Sequence, residues 1–212
     1  MCRLRYTGIL WNINCMNDDD LKLTAERVDA YALEVLPPPR YQHSLRVALL
    51  ARDLCLKFGI NPLEGYLAGI AHDMCKACND RWLLSTALMD DCPISPIERD
   101  KPSLLHGRAA AVVLRTDFSV DSRSVIEAVR HHTFGAPGLD TLGKIIFVSD
   151  KIEPGRTGIE DAFRKKILES GLDDMTALVL EDNVRYLESR GKLVSDSTNE
   201  MLLSLKRRGE AS

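Results

Sequence analysis

Aromatic residues make up only 6% of this 212-residue chain, too few for a surface that grips nucleic acid by stacking bases. Neither sign of charge dominates. The 28 Lys and Arg against 31 Asp and Glu give a net charge of −3, which leaves no basic footprint for DNA or RNA. The short run Lys206-Arg207-Arg208 reads as a solvated helix end. No apolar stretch approaches the roughly 18 residues of a membrane span. The early patch Gly8-Ile9-Leu10-Trp11 is interrupted by Asn12 and Asn14 and lacks the cleavage site of a signal peptide. A cytoplasmic protein with no membrane and no nucleic-acid partner is therefore expected. Glycine-rich phosphate loops are missing, as are internal repeats and Gly/Ser linkers. The six cysteines are scattered, which suits a reducing compartment. Cys75-Lys76-Ala77-Cys78 has the spacing of a redox or zinc pair, but it has no second pair and no βαβ surroundings. Buried helical thiols explain it better.

What is there is helical period, from end to end, with no sustained apolar–polar alternation. The expected fold is all-α, one domain over residues 18–212, preceded by a leader at 1–17. That leader is expected to be disordered or to lie upstream of a true start at Met16. A first helix is expected over Leu21 to Leu36, stopped by Pro37-Pro38-Pro39. A second runs from about Arg40 to Phe58, with Gly59 at its C′ position. Asn61-Pro62 caps a third, leading through Leu67, Ile70 and Ala71 to His72. Asn79 to Pro102 reads as irregular, broken by Asp90-Asp91, Pro93 and Pro96. Ser103 is expected to cap the helix of His106, and Asp121 the helix that ends in His131-His132. Leu142 to Ile152 is apolar enough to be central, and two or three amphipathic helices between Glu160 and about Leu205 complete a bundle.

The candidate chemistry lies in the histidines, at 43, 72, 106, 131 and 132. Each alone is more often a satisfied core or surface residue than a ligand. Their company changes this. His72-Asp73 closes an apolar helix, where an unpaired carboxylate would be costly unless a cation sat beside it. Asp150 ends the run Ile145-Ile146-Phe147-Val148-Ser149, although it could also be the exposed end of a helix. Neutral imidazole and carboxylate together suit divalent iron, manganese, zinc or nickel. A bridging carboxylate such as Asp73 can join two ions about 3.5–4 Å apart that share and activate a water for attack on phosphorus. Arg40, Lys76 and Arg156 stand near these residues in the chain. They could meet phosphate oxygens, Arg as a fork and Lys as a point charge, or be merely exposed charges. For Arg156 the turn Pro154-Gly155 aims the side chain.

This ordered set resembles the HD superfamily of metal-dependent phosphohydrolases, and its finer text is similar to the YqeK family of symmetrical diadenosine tetraphosphate hydrolases. The resembling stretches are Arg40-Tyr-Gln-His43-Ser-Leu-Arg-Val47, Ala68-Gly-Ile-Ala-His72-Asp73-Met-Cys-Lys76, Leu104-Leu-His106-Gly107, Arg130-His-His132-Thr-Phe-Gly135 and Lys144-Ile-Ile-Phe-Val-Ser-Asp150-Lys-Ile-Glu-Pro-Gly-Arg156. The resemblance implies an HD-type helical bundle with two divalent ions, iron by family habit and manganese or another ion as substitutes. It implies that His43, His72, Asp73 and Asp150 hold one metal and that Asp73, His106 and His132 hold the other. Asp73, Lys76 and His106 would serve catalysis, and Lys76 and Arg156 would contact phosphate; Arg40 is expected to join them in binding substrate from its place three residues before His43, not from the resemblance. The implied reaction is hydrolysis of diadenosine tetraphosphate to two ADP by a metal-bridged water. The implied partner is that small dinucleoside polyphosphate, and a homodimer is compatible with it.

Of the adjacent histidines, His132 matches the family text because Thr133 follows it, which leaves His131 a packing or supporting role. Arg108, Phe134 and Lys151 depart from the family pattern, where proline, threonine and an aromatic residue are usual. Lys151 adds charge beside Asp150. The alternatives are another HD-type nucleotide phosphohydrolase or phosphodiesterase, a non-catalytic nucleotide-binding regulator, and a helical scaffold with coincidental histidines.

Overall fold

A computed structural model describes residues 17–209, and among them there are helices and no strands. The leader's residues 1–16, and with them the question of Met16, lie outside the described residues. Asn17, assigned to the leader from sequence, instead caps the first helix, its side chain accepting from Asp20 N.

Eleven α-helices follow one another among the described residues: α1 (Asp18–Val35), α2 (Pro38–Lys57), α3 (Pro62–Ala71), α4 (Asp80–Ala87), α5 (Pro96–Asp100), α6 (His106–Thr116), α7 (Arg123–His131), α8 (Thr141–Ile152), α9 (Asp161–Glu169), α10 (Leu172–Ser189) and α11 (Asp196–Gly209). The proline run does double duty: Pro37 ends the approach to α2, while Pro38 and Pro39 occupy its first turn, where a missing N–H is harmless. Gly59 takes φ +70° just past α2, a left-handed stop that favours glycine. Asn61 caps α3 by accepting from Leu63 N.

Three expectations need correction. The stretch from Asn79 to Pro102 contains two helices, each with its own cap. Asn79 caps α4, and Ser95 with Glu98 forms a capping box on α5. Ser103 does not cap α6, because Pro102–Leu105 winds into a 3-10 turn that feeds the helix directly at His106. Ser122, not Asp121, caps α7, accepting from Val125 N.

Two helices form the centre. In α8 nearly every side chain from Leu142 to Ile152 is buried, and in α3 Leu67, Ala68, Ile70 and Ala71 are fully buried. α2 packs on both, α7 bridges α6 and α8, and α10 covers the other side of α8. Close approach at this centre depends on small residues. A Cβ at Gly69 would clash with the Ala48 backbone of α2, and one at Gly107 would meet the His132 ring and Val129 O. Both glycines adjoin a histidine that faces the same interior point.

Candidate metal centre

Helix ends supply most of this centre. His72 is the C-cap of α3, His106 opens α6, and His132 is the C-cap of α7. His43 comes from inside α2 and Asp150 from the last turn of α8. The chain bends just past His72, which turns Asp73 toward the same place although adjacent positions on a continuous helix would diverge by about 100°. All six side chains are buried, His72 completely. The imidazoles form a row, with ring centroids 5.3 Å apart for His43–His72, 4.8 Å for His72–His132 and 4.9 Å for His106–His132.

The protons of these rings are decided by their outer nitrogens. Nδ1 lies 2.7 Å from Gly69 O in His72, 2.7 Å from Ser103 O in His106 and 2.8 Å from Val129 O in His132. A carbonyl oxygen can only accept, so each Nδ1 carries a proton, and a ring in its neutral form then turns the Nε2 lone pair inward. There it meets other lone pairs. His106 Nε2 lies 3.0 Å from His132 Nε2 and 2.9 Å from Asp73 Oδ1, which is itself 3.8 Å from His132 Nε2. On the other side, Asp73 Oδ2 lies 3.5 Å from His72 Nε2 and 3.9 Å from His43 Nε2, while Asp150 Oδ1 lies 3.7 Å and 3.1 Å from the same two atoms. His72 Nε2 and Asp73 Oδ1 are buried with no hydrogen bond at all.

Acceptors gathered at such distances repel unless protons or cations lie among them. His43, His72 and Asp150 form one group of potential ligand atoms within 4.8 Å of one another, and His72, Asp73 and His132 form another. This donor set fits divalent cations.

The electrostatics agree. Burial works to raise the Asp73 carboxyl, but the His72 and His106 imidazoles hold it well below the usual carboxylate range. Burial would also raise Asp150, yet Lys151, His43, His72 and Arg156 hold it low. His132 is pushed well down by burial and by its neighbours His106 and His72, so its ring stays neutral. Burial acts to lower His72 too, but Asp73 and Asp150 outweigh it and raise the ring overall.

Cations surround the acids. Arg40 Nη1 donates to Asp73 Oδ2 at 2.9 Å, and Arg156 donates to Asp150 Oδ1 at 2.7 Å and to its carbonyl at 2.8 Å. Lys76 Nζ stands 3.2 Å from both ring nitrogens of His106, and burial lowers its pKa. Lys151 Nζ lies 3.0 Å from Asp150 Oδ2 and donates to His132 O at 2.9 Å. His131 is apart from the centre, 3.3 Å from Glu127. An open cavity of about 420 Å³ adjoins His43 and is lined by Pro37, Pro39, Arg40, Arg46 and Arg156 among others.

One participant escaped the sequence reading. Glu153 is 1% exposed, and its Oε1 faces His43 Nδ1 at 3.0 Å. The signal available was a second acid closing the same apolar helix, three residues after Asp150. Of the cysteine pair, Cys75 is a buried thiol that burial pushes well up, whereas Cys78 beside it is half-buried; both are free.

A family model for the HD domain matches residues 40–155. The chain belongs to the HD domain family. Those bounds enclose His43, His72, Asp73, His106, His132 and Asp150. The chain is also similar to the symmetrical bis(5'-nucleosyl)-tetraphosphatase of Staphylococcus aureus, with 28% identity over 85% of this chain and 93% of that protein. The protein of the same description from Bacillus subtilis is 25% identical over 83% of this chain and 94% of its own length. A crystal structure of a "predicted HD superfamily hydrolase involved in NAD metabolism" from Clostridium acetobutylicum superposes with a TM-score of 0.80 at 26% identity, covering 86% of this chain and 97% of that one. Divalent metal binding goes with the HD domain, and the His/Asp groups described above can provide it.

Proposed function

We propose that this protein is a metal-dependent phosphoanhydride hydrolase that cuts diadenosine tetraphosphate at its middle anhydride, giving two ADP. The observation that carries this reading is the division of the Asp73 carboxylate. One oxygen faces His43 and His72 with Asp150 nearby, while the other faces His106 and His132. Two symmetrical bis(5'-nucleosyl)-tetraphosphatases resemble the chain over nearly their whole length, and this supports the substrate.

In the proposed site His43, His72, Asp73 and Asp150 hold one divalent ion, and Asp73, His106 and His132 hold a second. The ions are iron by resemblance, with manganese as a workable substitute. When bound, such a pair lowers the pKa of a shared water and neutralises charge on phosphate oxygens. The residues do the rest. Arg40 and Arg156 stand at the cavity mouth, where their forks can leave the acids for phosphate oxygens once the acids have other cations. Lys76 offers a point charge on the His106 side, and Asp73 holds both halves of the centre in register. The oxygen of water bonds to one of the two inner phosphorus atoms as that atom's bond to the bridging oxygen breaks; the bridging oxygen leaves with the other ADP, and the water's protons pass to solvent. All four described cysteines are free, which suits the cytoplasm expected from sequence.

The test is anaerobic purification, metal quantification and product analysis on diadenosine tetraphosphate with Fe²⁺ and with Mn²⁺. Two ADP as sole products supports the reading. ATP with AMP, or a strong preference for a nucleoside monophosphate, defeats it.

A further inference from the structure

The four inner histidines are not held alike. His72, His106 and His132 stand at helix ends or turns, and each donates Nδ1–H to the carbonyl three residues before it, Gly69, Ser103 and Val129. His43 cannot do this, because inside α2 the backbone carbonyls are engaged in the helix. Its Nδ1 instead faces Glu153 Oε1 at 3.0 Å, across 110 residues of sequence.

Glu153 is built to stay there as an anion. It caps the C-terminal end of α8, next to the turn that delivers Arg156. Arg46, one turn along α2 from His43, donates to both Glu153 oxygens through Nε and Nη2, and Gly155 N donates to Oε2. A Cβ at Gly155 would collide with the Arg46 guanidinium, so glycine there lets the two ends of the network close.

We infer that Glu153 is a positioning residue: it fixes the tautomer and direction of His43 and, as the only carboxylate on an outer Nδ1 among these four rings, strengthens that imidazole as a metal donor relative to the three held by carbonyls. Carboxylate–histidine pairing of this kind orients metal-bound imidazoles and raises their basicity. Because the support is confined to His43, its consequence is one-sided. The His43–His72–Asp150 group gains metal affinity that the Asp73–His106–His132 group does not share. This deepens the proposed function and rests on its two-ion site.

The experiment is Mn²⁺ binding by equilibrium dialysis against a competing chelator, on metal-depleted wild-type protein, E153Q and E153A, with the melting temperature of each metal-free form. Glutamine keeps the shape and an acceptor but removes the charge. E153Q is expected to melt close to wild type and to bind one Mn²⁺ about 10–100-fold more weakly, with the second affinity unchanged. E153A is expected to lose the first ion at concentrations that saturate wild type. In the activity assay kcat should fall more than KM rises. Wild-type affinity at both sites in E153Q and E153A overturns the inference, as does an equal loss at both sites, which marks a general structural role. A wild-type protein that binds no Mn²⁺ overturns the two-ion reading itself and this inference with it.

Discussion

Among the described residues, a buried His/Asp cluster and a largely buried cluster around Arg108 are assembled on opposite rules. At the His/Asp centre acceptors face acceptors: imidazole lone pairs and carboxylate oxygens meet at 2.9–3.9 Å. Beside it, around Arg108, donors and acceptors match. Arg108 Nε and Nη2 each donate to Asp90 at 2.8 Å, and Nη1 reaches both oxygens of Glu98 at 3.1 Å. Arg130 adds a contact to Asp90 at 3.0 Å and one to Glu127 at 3.6 Å. The first cluster is incomplete without a cation, whereas the second is complete in protein atoms. Burial of charge is therefore not the mark of a functional site; unmatched charge is.

The sharpest way to break this contrast is Asp73→Ala, which removes the one side chain shared by both halves of the centre. Turnover is expected to fall well beyond the 10–100-fold typical of losing an outer support of a ligand. The metal-free fold should survive, because the substitution relieves a crowd of acceptors rather than leaving one unpaired. Circular dichroism, Tm and a diadenosine tetraphosphate assay check both halves. A variant that keeps a tenth of the wild-type rate would remove Asp73 from the reaction.

Arg108→Ala should behave in the opposite sense. It leaves Glu98 and, in part, Asp90 without their cation, a change that costs about 3–5 kcal/mol for a buried pair. At roughly 2–4 °C per kcal/mol for a chain of this size, Tm should drop by about 10 °C. Mn²⁺ affinity at saturating protein stability should stay where it was. A loss of metal without a loss of Tm would show that the two clusters are one.

The two clusters also differ in how far they could be read from sequence. At the His/Asp centre, His72, Asp73 and Asp150 were legible as local signals, namely a His-Asp doublet at the end of an apolar helix and an acid closing another, whereas His43, His106 and His132 joined them only through the family resemblance. Caps and periods gave α2, α3 and α8 nearly to the residue. Arg108 was visible only as a departure from the family's proline. Its partners Asp90 and Glu98 lie in a stretch whose prolines and paired aspartates look like loop, and no periodicity links them to α6. Glu153 was hidden for a related reason: its partner His43 is 110 residues away, and only folding shows that α2 leaves this ring no free carbonyl. Local order is written locally; pairing between helices is not.

The smallest effect sharpens the contrast by pH. Glu127 joins Arg130 to His131, at the edge where the matched cluster approaches α7's end. Burial would raise its carboxyl, but the His131 bond and the charges of His131, Arg130 and Arg123 hold it below its ordinary 4.5. A carboxyl depressed by folding stabilises the protein above its unfolded value, and that stability fades as pH falls through the folded one. Glu127→Gln should therefore destabilise by about 0.5–1 kcal/mol at pH 7, the scale of a partly exposed ion pair. The gap from wild type should close below about pH 4.5. Urea unfolding at pH 7 and pH 3.5 measures it, with Mn²⁺ binding as the control that must not move. A gap that widens toward acid would mean that Glu127 is held in its protonated form, and the edge of this cluster would then belong with the unmatched acceptors next door.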